Sequence, residues 1–189
     1  MYLTENLKIN LILIEPNGPL NVGSIARLCA NFKVNQLRIV SPKCDIFSLE
    51  SKKMALKGIN YLQKNNIYIN LNEALADCDL VIATCGRISI SKNSNIEFID
   101  KITPYINKYE NIGSLAIIFG REDRGLTNKE LLMAHKIFTI NTSNNYPSLN
   151  LSHAVSITLY ELFKNPPNNN QSTTKEPELA SSSQIDESC

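Results

Sequence analysis

A chain of 189 residues, 43% of them hydrophobic, is the size of one domain and holds enough apolar material for a core; with no Trp, that core is mostly aliphatic. No stretch reaches the roughly 18 apolar residues needed to cross a membrane, MYLTENLKIN lacks the basic region and apolar run of a secretory leader, and five cysteines without CxxC spacing argue against a metal cluster or disulfide framework, so a reducing cytoplasm is the expectation. The net charge of +1 divides unevenly: eighteen basic and fourteen acidic residues up to Lys164 (net +4), then one lysine against four acids (net −3), a weak pointer to a nucleic-acid partner.

Extended apolar runs then alternate with helical periods. INLILI (9–14) leads into a helix over 22–32, with Asn21 as its N-cap and Pro19 fixing the approach. LRIV (37–40) precedes a helix near 48–56. IYI (67–69) precedes a short helix over 72–77 capped by Asn72, and DLVIA (79–83) a helical pattern over 96–108. LAIIF (115–119) is followed by a helix over 127–134, started by a capping box of Thr127 and Glu130. IFTI (137–140) leads to an amphipathic helix over 150–164, capped by Asn150 or Ser148. This alternation predicts an α/β fold: a mainly parallel sheet with helices on both faces. Residues 165–189 are polar and Pro-containing, which predicts a disordered tail and leaves 1–164 as the domain.

In such sheets ligands sit beyond the carboxyl ends of the strands. Four loops qualify, EPNGPLNVGS (15–24), TCGRIS (84–89), FGREDRGLT (119–127) and NTSNNYPSLN (141–150), and all are rich in Gly, Ser, Thr, Asn or charge. Each has a bland reading. Arg121, Glu122, Asp123 and Arg124 can pair among themselves in a solvated turn, since the phosphate-cradling lysine pattern and GxGxxG are both missing. Small polar residues before the last helix can cap it, or clasp a purine with free backbone groups. Cys85 has no His nearby in sequence, which speaks against a nucleophile. His135 and His153 read as packed or surface residues. Arg27, one turn into an otherwise apolar helix, is either a surface residue or a group placed to hold phosphate.

Taken together, EPNGPLNVGSIARLCANFKVNQLRIVSP (15–42), LAIIFGREDRGLTNKEL (115–131) and INTSNNYPSLNLSHAVSITLYEL (140–162) resemble the SPOUT superfamily of RNA methyltransferases, in its SpoU/TrmH group, and most of all the TrmJ-type tRNA ribose 2′-O-methyltransferases. The likeness covers about residues 8–164. Lys33 stands where such proteins often have Gly, and Pro147 where a small residue is more usual. The resemblance implies a deep trefoil knot near the C-terminal end, S-adenosylmethionine as cofactor, and a homodimer with its active site near the subunit interface. It implies methylation of a ribose 2′-hydroxyl in RNA, with the tRNA anticodon loop favoured; ribosomal RNA, or an inactive RNA-binding protein of this fold, are the alternatives. Neither a metal nor a membrane is implied. Carried over by position, Thr84, Cys85, Gly86, Gly120, Ile140, Ser148, Leu149 and Asn150 line the cofactor pocket. Asn21, Arg27, Glu122 and Asn150 form the catalytic neighbourhood, with Glu122 orienting Arg27 or other polar groups.

Overall fold

The computed structural model describes residues 7–86, 95–143 and 145–167. The expected tail beyond 167, and Arg87 to Ser89 of the second loop, lie outside the described residues.

Seven strands form one sheet in the order β3-β2-β1-β6-β4-β7-β5. They are β1 (Lys8–Ile14), β2 (Gln36–Val40), β3 (Ile67–Tyr68), β4 (Leu80–Thr84), β5 (Ile96–Phe98), β6 (Ser114–Phe119) and β7 (Lys136–Thr139). Every strand pairing is parallel. β6 is buried at every position, which explains its unbroken apolar sequence SLAIIF. One core layer joins alternate residues of the central strands (Leu11, Leu13, Ile82, Ile117, Phe119) to α1 (Pro19–Asn31) and α6 (Leu151–Lys164). The opposite layer joins Ile12, Val81, Ala116 and Ile118 to α3 (Leu71–Leu75) and α5 (Asn128–Leu131). The remaining helices are α2 (Leu49–Ala55), against α1, and α4 (Ile102–Ile106), against α6.

Several expected elements are corrected. Residues 96–98 are an edge strand rather than helix; IEF pairs with β7 and gives way to a 3₁₀ turn at Ile99–Lys101 before the short α4. α5 is a single turn, as Leu132 beyond it is 85% exposed and has nothing to pack against. Asn70, not Asn72, caps α3, its Oδ1 accepting from Glu73 N–H at 3.0 Å. The capping box of Thr127 and Glu130 forms as expected. Lys33 adopts the left-handed region (φ 51°) just past α1, and Val34 N–H reaches back to Cys29 C=O at 2.9 Å. That is the helix-ending geometry which glycine usually serves.

Candidate active site

Because all strands run the same way, the carboxyl ends of β1, β4, β6 and β7 share one rim of the sheet. A cavity of about 210 Å³ opens there. It is walled by Thr84, Cys85 and Gly86 after β4, by 119–122 and 124–126 after β6, and by Ile140, Pro147, Ser148 and Leu149 after β7. The three segments lie far apart in sequence and meet only because β6 and β7 both flank β4.

The β6 loop owes its shape to glycine and ion pairs. A Cβ on Gly120 would overlap the backbone of Gly125 and Leu126, so only glycine lets the loop close on itself. Gly125 sits at φ +70°, and Arg121 and Gly125 exchange backbone hydrogen bonds of 3.2 and 3.0 Å. The register Leu13↔Phe119 carries Glu15 beside Arg121. Arg121 Nε donates to Glu15 Oε2 at 2.9 Å, and its two terminal nitrogens donate to Glu130 at 2.9 and 3.0 Å. The Arg121 hydrogen bond holds the Glu15 carboxyl down at about 2, against the opposing cost of its partial burial. Glu15, Arg121 and Glu130 were not singled out as site residues from sequence. Glu15 becomes their link only once β1 and β6 are known to pair.

Glu122 bonds to polar groups other than Arg27. Its carboxylate accepts from Asn17 N–H (3.1 Å), Gly18 N–H (3.1 Å) and Asn21 Nδ2 (3.1 Å), and no bond joins it to Arg27. A carboxylate here meets the positive end of α1 and satisfies backbone donors that the helix cannot. Asn21 is not the N-cap of α1: Gly18 is, with Pro19 as the first helical residue, which places Asn21 inside the first turn. That frees its side chain. Asn21 Oδ1 accepts from Asn150 Nδ2 at 3.0 Å, and Asn150 Oδ1 caps α6 by accepting from Ser152 N–H at 2.9 Å. Glu122, Asn21 and Asn150 therefore form one hydrogen-bonded chain across three loops.

Thr84, Cys85, Gly86, Gly120, Ile140, Ser148 and Leu149 line the cavity, as does Glu122. Asn150 does not; its neighbours Leu149 and Leu151 do, while its amide faces Asn21. Asn21 and Arg27 also lie outside the lining. Arg27 is exposed and bonds to no described residue. His153 is exposed, and His135 spends Nδ1 on Val81 N–H at 3.0 Å. Among the described residues, no cluster of His, Cys, Asp or Glu could hold a metal, and no helix is long and apolar enough to cross a membrane.

Residues 8–160 match the SpoU rRNA Methylase family. The chain belongs to that family. It is 38% identical over 172 residues to the tRNA (cytidine-2′-O-)-methyltransferase TrmJ of Sulfolobus acidocaldarius, covering 90% of this chain and 72% of that one. It is 39% identical to the TrmJ of Methanocaldococcus jannaschii, covering 83% and 68%. Among solved structures it superposes on TrmJ from Z. mobilis with a TM-score of 0.73, at 30% identity, over 82% of this chain and 68% of that one.

SpoU methyltransferases use S-adenosylmethionine, and the cavity fits that group. Leu126, Leu131, Phe138, Ile140 and Leu149 offer apolar walls for a purine. Among the described residues, none shares a backbone–backbone hydrogen bond with Ser148 or Leu149, so their N–H and C=O groups are available to a ligand. Among the described residues, Gly86 has only Pro147 O within 4 Å of a would-be Cβ, at 3.6 Å.

Proposed function

We propose that this chain is an S-adenosylmethionine-dependent methyltransferase acting on a ribose 2′-hydroxyl of tRNA, in the anticodon loop. The observation that carries the reading is the cavity itself: three segments distant in sequence meet at one strand-end rim, tied behind by Glu122, Asn21 and Asn150. When bound, the cofactor supplies a methyl group already activated on a sulfonium. The protein's task is then to position two reactants, an effect worth roughly 7–11 kcal/mol in well-oriented pairs. Thr84 to Gly86, Gly120, Ile140, Ser148 and Leu149 hold the cofactor. Asn150 sets the entry of α6 and hence the position of Ser148 and Leu149.

Arg27 keeps its proton at any physiological pH. In this reading it stabilises the sugar oxygen as its proton leaves, or grips the neighbouring phosphate, rather than acting as base. Its exposure, and its place outside the lining of its own chain's cavity, support a homodimer in which α1 serves the partner's site. The same reading includes a trefoil knot near the C-terminal end. The cytoplasm is the compartment where such an RNA is met.

The test is a map of 2′-O-methyl sites in total RNA from cells with and without the protein. A site in the tRNA anticodon loop that vanishes with the protein is the expected result; loss of a ribosomal RNA site instead would move the substrate, and no lost site would end the reading. Arg27→Ala should cut methyl transfer by orders of magnitude while leaving S-adenosylhomocysteine affinity within about twofold. Wild-type turnover in that variant removes Arg27 from the mechanism.

A further inference from the structure

Two arginines three residues apart share one carboxylate oxygen. Glu15 Oε2 accepts from Arg121 Nε at 2.9 Å and from Arg124 Nη2 at 3.2 Å. In every other respect the two differ. The Arg121 side chain is 9% exposed and its remaining donors are taken by Glu130 and by Gly125 C=O. The Arg124 side chain is 61% exposed, has this single bond among the described residues, and still lines the cavity mouth. Glu15 is already held by Arg121, so its charge is answered without Arg124. Lys43, also exposed, adds its positive field to the same carboxylate, and its N–H is fixed to Pro16 C=O at 3.0 Å.

A fastened arginine and a spare one on the same loop have different jobs. An exposed ion pair is weak and exchangeable, whereas a guanidinium presents a fork of donors that matches two oxygens of a phosphate. We propose that Arg124, together with Lys43, contacts the RNA backbone at the rim of the cavity, releasing Glu15 to Arg121 when a phosphate arrives. The proposal rests on the reading of the chain as an RNA methyltransferase. Its contribution is to assign the phosphate contact to particular side chains. Such a contact positions the strand without reading bases, so it acts alike on any sequence.

Fluorescence-detected binding of bulk deacylated tRNA, titrated over a range of salt with S-adenosylhomocysteine present, tests it. Arg124→Gln should weaken tRNA binding by about 3–10-fold and lower the slope of log affinity against log salt by about one. Lys43→Gln should weaken binding less but lower the slope by a similar amount, and the pair together should lower the slope by about two. Arg124→Lys should restore the slope, since it restores the charge. The urea-melt midpoint of Arg124→Gln should match wild type, since the exposed ion pair it removes is weak; a merely structural role of the loop would not allow that. A tRNA affinity and salt slope equal to wild type overturn the assignment while leaving the methyltransferase reading intact. A wild-type chain that binds S-adenosylhomocysteine but no RNA overturns both.

Discussion

The loops after β6 and β7 face each other across the cavity, yet they are held in different ways. The first, 119–127, is fastened at both ends and in the middle: by Arg121 to Glu15 and Glu130, by Glu122 to the start of α1, and by the close contact of Gly120 with Gly125. The second, 140–150, is irregular throughout its described residues. Its own ties are few, among them Thr142 Oγ1 to Pro147 C=O at 3.2 Å and Tyr146 N–H to Ser143 C=O at 3.2 Å. Tyr146 at its tip is 78% exposed. Few buried contacts and exposed backbone mark a segment of low local stability. The comparison marks the β6 loop as the standing frame of the cavity and the β7 loop as its loosely tied wall.

The largest expected effect comes from breaking the frame. Arg121→Met should destabilise the chain by about 3 kcal/mol in a urea melt, because it strands the Glu15 and Glu130 carboxylates without their shared cation. A loss below about 1 kcal/mol would mean that the two loops are held more alike than their contacts show. A smaller effect follows from acid. The Glu15 carboxyl titrates at about 2 in the folded protein against an ordinary value of 4.5. A depressed folded value stabilises above the unfolded one, so this contribution is complete above pH 4.5 and is lost as the pH falls from there toward 2. Thermal melts between pH 7 and 3 should show wild type losing its advantage over Glu15→Gln below about pH 4.5. A constant gap between the two across that range would contradict the Arg121 strut.

Much of this frame was legible in the sequence. Six of the seven strands announce themselves as continuous apolar runs, and the four loops picked by the strand-end rule include the three that wall the cavity. The misses share a cause: they depend on pairings between distant segments. The charges of REDR read as a turn satisfied within itself, whereas Arg121 bonds to Glu15, 106 residues back, and Glu122 to Asn17, 105 residues back. Only the β1–β6 register reveals those partners. β5 was hidden because IEF is too short to show a period, and pairing with β7 decides it. Asn21 was misread for a local reason. Pro19 as first helical residue already puts the cap at Gly18, and that signal was available.

Amide hydrogen exchange with and without S-adenosylhomocysteine addresses the cavity and the two loops at once. The account predicts that residues 145–150 exchange fast in the free protein and gain protection of tenfold or more on adding the ligand, while 119–127 are slow in both states. Unchanged exchange in both loops at millimolar ligand would contradict it, since a cofactor seated between them must cover Ser148 and Leu149.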